Sequence, residues 1–195
     1  MSLRVVPLAG AALAAAIPDL ARLRIAVFAE FPYLYAGSLD YEQTYLAAFA
    51  AARHAVLIAA IDGDRIVGGA TASPLAVQDR AVQQPFERAG IDRADVFYFG
   101  ESVLLPAYRG RGLGHAFFDH REAAARQAGA KRASFCAVLR PVDHPARPAD
   151  YRPLDRFWQR RGYAAVPGMT GQMAWQEHGE HGESPKPMQF WMREL

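Results

Sequence analysis

The chain has 195 residues, of which 51% are hydrophobic and 22% charged, and its 22 basic and 20 acidic side chains leave a formal net charge of +2. This length suits one domain, 1–195, with a sizeable core, and the near-neutral balance carries no nucleic-acid signature. The single cysteine, Cys136, excludes an internal disulfide and a cysteine-built zinc site, and is compatible with a reducing cytoplasm.

In chain order, Leu3 to Leu8 predicts a short strand. The Ala-rich run after Arg4, from Val5 to Ile17, has some look of a signal peptide, but Pro7 interrupts it early and only one basic residue precedes it. Nor does any apolar run reach the roughly 18 residues of a membrane span. Asp19 is placed to cap a helix through about Phe31, with Leu20, Leu23, Val27 and Phe28 near helical spacing. Pro32 to Gly37 is an aromatic loop, and Asp40 is placed to cap a second helix to about Arg53. Val56–Ile61 and Arg65–Ala72 flank Asp62-Gly63-Asp64, a hairpin signal. Val77 to Asp92 reads as a polar insertion with partial helix.

Val96 to Leu105 predicts the next strand, and Gly112 to Ala128 a helix whose inner face carries Leu113, Ala116, Phe117, His120 and Ala124. Gly129 is well placed to end that helix. Lys131 to Leu139 is a strand, followed by a long loop with Pro141, Pro145, Pro148 and Pro153 and a short helix from Leu154 to Arg161. Two late strands fall near Met169–Trp175 and Met188–Arg193. The polar stretch between them, with His178, Glu180, His181 and Glu183, has ligand-type side chains but reads as a solvated turn without metal.

The most informative segment joins the Val96 strand to the next helix. Pro106 is followed by Gly110, Gly112 and Gly114 at alternate positions, interleaved with Arg109, Arg111, Leu113 and His115. Glycines let the backbone approach a ligand closely, and a helix N-terminus offers free N–H groups to an anion. Arg109 and Arg111 add positive charge. Gly114 is followed by His115-Ala116 rather than Lys-Ser/Thr, which excludes a Walker loop. The alternate spacing, and the lack of an acid ending the next strand, exclude a dinucleotide fingerprint.

Strand, Pro, Arg109-x-x-Gly112-x-Gly114 and helix fall in an order that resembles the acyl-CoA pyrophosphate loop of the GNAT superfamily of N-acyltransferases. Phe157-Trp158-Gln159-Arg160-Arg161-Gly162-Tyr163 resembles the family's Phe-Tyr-x-x-x-Gly-Phe stretch. The resemblance implies an α/β (α+β) fold, with a central mixed, mostly antiparallel sheet of about seven strands flanked by helices. The predicted order β-α-α-β-β-β-α-β-α-β-β agrees with it.

It also implies acetyl-CoA as co-substrate, no metal, and transfer of the acetyl group to a primary amine of a small-molecule acceptor by direct attack. The implied cofactor loop is Arg109, Gly110, Arg111, Gly112, Leu113, Gly114 and His115, with Val103, Leu104 and Leu105 offering main-chain groups to the pantetheine arm where the strand splays from its parallel neighbour. Glu101 lies where the family places a base, and its alternatives are an ion pair with a nearby Arg or a solvent-facing position. Trp158 occupies the usual Tyr acid position, and an indole N–H is not a usable acid. Tyr151 is the replacement acid, or else a loop-packing aromatic. Tyr33 and Tyr35 would wall the acceptor pocket, or else pack the helix–helix connection. Cys136 reads as a small buried hydrophobe. The Trp158 departure keeps a non-catalytic acyl-CoA-binding module open as an alternative, and a protein-modifying acetyltransferase is another. Homodimerisation also stays open.

Overall fold

The computed structural model describes residues 3–195. Seven strands form one sheet: β1 (Leu3–Leu8), β2 (Val56–Asp62), β3 (Arg65–Pro74), β4 (Val96–Leu104), β5 (Arg132–Val138), β6 (Ala164–Trp175) and β7 (Ser184–Glu194), in the spatial order β1-β2-β3-β4-β5-β7-β6. Every neighbouring pair is antiparallel except β4 and β5. Gly63 makes the β2–β3 hairpin possible, because its φ of +63° lies in the left-handed region that side chains disfavour.

Five helices cover the sheet: α1 (Gly10–Phe28), α2 (Leu39–Ala51), α3 (Arg80–Arg88), α4 (Leu113–Gln127) and α5 (Asp155–Arg160). Two helix starts differ from the sequence reading. α1 begins nine residues before Asp19 and runs through Pro18, because the buried stripe Leu13, Ala16, Leu20, Leu23 continues across the proline. Burial of that stripe and the high helix propensity of the Ala-rich run outweigh the one backbone hydrogen bond a proline removes. α2 is capped by the Ser38 hydroxyl, which accepts from the Tyr41 N–H at 3.4 Å, and not by Asp40. The inner face of α4 is also rotated: Phe118, Arg121, Glu122 and Ala125 are buried where Ala116, His120 and Ala124 were expected, while Leu113 and Phe117 are buried as read. The Val77–Asp92 insertion is helical over α3 and buries Val82, Pro85 and Phe86.

One sheet face packs on α4 through Ile58, Phe97, Phe99, Phe117 and Phe118. The other packs on α1 and α2 through Leu13, Leu20, Leu46, Leu57 and Val103. α3 closes a third cluster with Phe86, Tyr98, Met169 and Phe190. No helix of the described residues is long and apolar enough to cross a membrane.

Candidate active site

The site is built where two strands part. β4 and β5 pair only at Val96–Arg132, Phe97–Ala133 and Tyr98–Ser134. From Phe99 onward β4 has no strand partner on its β5 side among the described residues, so a cleft opens between the two strands. β4 itself is irregular at this point. Ala72 pairs with Phe99 and Ala70 with Ser102, so Gly100 and Glu101 together oppose Thr71 as a bulge. The Thr71 hydroxyl accepts the Glu101 N–H at 3.1 Å and holds the bulge, and a Cβ at Gly100 would collide with that hydroxyl.

The bulge decides where Glu101 points. Before it, Phe97 and Phe99 face α4; after it, Val103 faces α1 and α2. The extra residue inverts the alternation, and Glu101 turns to the α1 side. There its Oε2 accepts from Arg24 of α1 at 2.7 Å. The same guanidinium is hydrogen-bonded to Glu42 of α2, which has no exposed surface. The ion-pair alternative read from the sequence is therefore realised, yet it uses only half of each carboxylate: Oε1 of Glu101 and Oε1 of Glu42 are both buried and have no hydrogen-bond partner among the described residues. Burial pulls the Arg24 guanidinium downward, but Glu101, Tyr45 and Glu42 outweigh it, and its pKa is raised.

At the end of β4, Leu105 donates its N–H to the Val67 carbonyl at 3.0 Å, and Pro106–Tyr108 makes one 3-10 turn. Gly110 and Gly112 follow with φ of +75° and +81°. The N–H groups of residues 110 to 114 have no protein hydrogen-bond acceptor among the described residues. Five consecutive free amides at the start of α4 are an anion cradle. The His115 N–H is different, because it donates to the Gly112 carbonyl at 2.9 Å. Leu113 is buried and offers only its backbone. A Cβ at Gly112 would meet nothing within 4 Å, whereas one at Gly114 would lie 3.4 Å from the Phe157 ring. Gly114 thus serves the packing of α4 on α5, and side-chain obstruction of the cradle is a matter of Gly112. Arg109 bonds the Leu104 carbonyl at 3.1 Å and pairs with Glu30 at 2.8 Å, so its charge is already met. Arg111 lies over the Tyr108 ring, 5.3 Å from its centroid, and has no ion-pair partner among the described residues.

The aromatic loop is tied across the cleft mouth. Ala36 N–H donates to the Gln176 carbonyl at 2.9 Å, and His178 N–H to the Leu34 carbonyl at 2.9 Å. Arg140, at the end of β5, donates to the Pro32 carbonyl at 2.7 Å and pairs with Glu177. Tyr33 packs against Phe28 at 4.7 Å and Trp175 at 5.7 Å between ring centroids, and burial raises its phenol pKa. Tyr35 is shifted the same way by burial and by Glu42. Tyr151 lies edge-on to Phe31 at 4.7 Å with Arg147 over its ring. Its hydroxyl has no hydrogen bond among the described residues, and burial raises its pKa. Trp158 packs against Phe135 and Trp191 in the core. Cys136 contacts the Tyr98 hydroxyl at 3.0 Å, and burial pushes its thiol up to about 12. The turn between β6 and β7 is ordered by Glu180, which accepts from Lys186, Ser184 and the Glu177 N–H.

The family model described as Acetyltransferase (GNAT) family matches residues 20–163. The chain belongs to this family. Solved structures share the fold of this GNAT protein across its length. A ribosomal-protein-alanine N-acetyltransferase from Brucella melitensis has a TM-score of 0.61 at 14% identity, covering 100% of both chains. The yncA acetyltransferase structure from Salmonella typhimurium, solved with its cofactor acetyl-CoA, has a TM-score of 0.63 at 12% identity, covering 100% of this chain and 95% of the other. NAA60 of Arabidopsis thaliana, in complex with a bisubstrate analogue, gives 0.58 at 13%, covering 100% and 99%. No curated protein matches the chain.

Sequence reasoning missed Arg24, Glu42 and Thr71. A signal for the first two was present: each is a charged residue one helical turn from a core leucine, Arg24 after Leu20 and Glu42 before Leu46.

Proposed function

We propose that the protein transfers an acetyl group from acetyl-CoA to a primary amine of a small-molecule acceptor by direct attack. The carrying observation is the run of five free amides at residues 110–114, beside the cleft where β4 leaves β5. The amides, with Arg111, suit a pyrophosphate, and the stretch of β4 beyond Tyr98, which β5 leaves without a strand partner, suits the amide-rich pantetheine arm. Bound there, acetyl-CoA would supply the acyl donor. Glu101 sits at the head of the same cleft. Its free Oε1 receives the amine's proton, directly or through a water. Tyr151 has an unengaged phenol and is the proton donor to the leaving thiolate. Tyr33 and Tyr35 wall the acceptor side, and their loop's ties to the β6–β7 turn close the mouth against a bulky protein substrate.

Trp158, packed in the core at the usual acid position, favours one rival reading: an acyl-CoA-binding module without turnover. Incubating acetyl-CoA with a panel of amines separates the two, with thiol release and the mass of the product as readouts. Glu101→Gln should lower turnover by roughly 10²-fold or more with CoA affinity nearly unchanged. The loss should shrink at alkaline pH, where free amine is abundant. Tight CoA binding with no acetylated product from any amine establishes the binding-module reading instead.

A further inference from the structure

The Arg24 cluster has one charge too many. Glu42 and Glu101 contribute two negative charges and Arg24 one positive, so the buried group carries a net charge of −1. Arg121 lies on the opposite sheet face, stacked on Phe99 and Phe118; it is within electrostatic reach of Glu101 but makes no ion pair with Glu101 or Glu42 among the described residues, so the contact charge of the cluster stays at −1. An excess buried carboxylate is costly unless a further cation joins it. Had β4 and α1 supplied only Glu101 and Arg24, the pair would be neutral. Glu42 occupies the guanidinium from the other side and prevents that.

Two independent observations show what the cluster is built to receive. First, the free Oε1 of Glu101 is buried and unpartnered, on the strand that borders the cleft. Second, the surroundings are aromatic and acidic with little counter-charge. Arg24 itself lies over the rings of Phe28 and Tyr45, at 5.2 and 4.9 Å from their centroids. Such ring faces attract cations. Asp79 and Glu183 make no ion pair among the described residues. Both add to the effect of burial in raising the Tyr41 phenol, which places them within electrostatic reach of α2.

We infer that the acceptor is an alkyl ammonium whose amine-bearing carbon carries no carboxylate, and that Glu42 sets this preference without touching the acceptor, by engaging Arg24 and leaving Glu101 uncompensated. This rests on the transferase reading for the position of Glu101 beside the acceptor. An α-amino acid or a peptide's free carboxyl end would set its own negative charge against the cluster. A plain amine brings the missing positive charge and, after yielding its proton to Glu101, leaves the cluster neutral.

The test uses matched pairs that differ by one carboxylate and carry a single amine: tyramine and tyrosine, phenethylamine and phenylalanine, tryptamine and tryptophan. Binding to the CoA-saturated protein is measured by calorimetry, and acetylation is measured in parallel. In each pair the wild-type protein should bind the decarboxylated member at least about tenfold more tightly. Glu42→Gln should shrink that ratio severalfold with CoA affinity unchanged, and Glu42→Asp, which keeps the charge, should retain it. Equal or tighter binding of the amino acids, no binding of any amine, or an unchanged ratio in Glu42→Gln overturns the inference. If Glu42→Gln does not fold, the wild-type pairs still decide the preference. Amines that bind in the expected order without being acetylated uphold the cation site and overturn the transferase reading. Turnover that favours the carboxylated members does the reverse.

Discussion

Removing the Arg24 guanidinium is the sharpest test of the cluster as a structural unit. Arg24 is 12% exposed and joins α1 to α2 through Glu42 and to β4 through Glu101. Arg24→Met keeps an unbranched apolar stem of similar helix propensity and removes the charge, its hydrogen bonds and its stacking over Phe28 and Tyr45. Two carboxylates that share one cation would then be left buried without it. Breaking a buried pair from one side costs about 3–5 kcal/mol, and each kcal/mol lowers the Tm of a domain this size by about 2–4 °C. The expected loss is therefore about 6–20 °C. Arg22→Met is the control on the same helix. Its pair with Asp19, with side chains 61% and 45% exposed, is worth about 0–1 kcal/mol, or at most about 4 °C. Thermal melts of the wild type and both variants in one buffer decide the matter. A drop for Arg24→Met no larger than that for Arg22→Met would refute the reasoning, because the cluster would then be screened like a surface pair.

Three further predictions follow from the aromatic loop and its anchor. Tyr33 is wedged between Phe28 and Trp175, so Tyr33→Ala should cost about 2 kcal/mol, roughly half the penalty of losing a fully buried ring, and lower the Tm by about 4–8 °C. Tyr35→Ala should instead raise the acceptor KM and leave CoA affinity unchanged; equal melting losses without a KM change would make the whole loop core. The Glu180 carboxyl is held down at about 2, first by Lys186 and then by the Glu177 N–H and Ser184. Its contribution to the β6–β7 turn is present above the ordinary value of 4.5 and is lost as pH falls toward 2. The Glu177 amide resonance should titrate near 2 and lose that titration in Glu180→Gln; a midpoint near 4.5 would show that the carboxyl is not held.

The elements with local causes were readable in the sequence. Asp62-Gly63-Asp64 marked the β2–β3 hairpin because only a residue tolerant of positive φ turns there, and the alternate glycines marked the β4–α4 junction for the same reason. Pro18 misled the reading of α1, since a proline near an Asp looks like a helix start when the buried stripe on both sides of it is not known. The orientation of Glu101 was not readable. Strand alternation alone would face it toward α4, and the bulge that inverts it depends on Thr71, thirty residues earlier, in the neighbouring strand. The Arg24–Glu42–Glu101 cluster joins three elements and was invisible for the same reason. The strand–proline–glycine–helix junction could be read as a whole, but not the division of labour within it. That Gly114 faces Phe157, and that the His115 amide is engaged by Gly112, comes from the way α5 and the first turn of α4 pack.

The central claim is that the free amides at the start of α4 hold the pyrophosphate of acetyl-CoA. Titrating CoA into isotopically labelled protein and following the backbone amide resonances tests it directly. The amides of Gly110, Arg111, Gly112, Leu113 and Gly114 should shift most and saturate together, with the His115 amide, already bonded to Gly112, moving less. Gly112→Val should abolish the saturable response while the remaining spectrum stays folded. CoA binding that saturates elsewhere and leaves residues 110–114 unmoved would contradict the account.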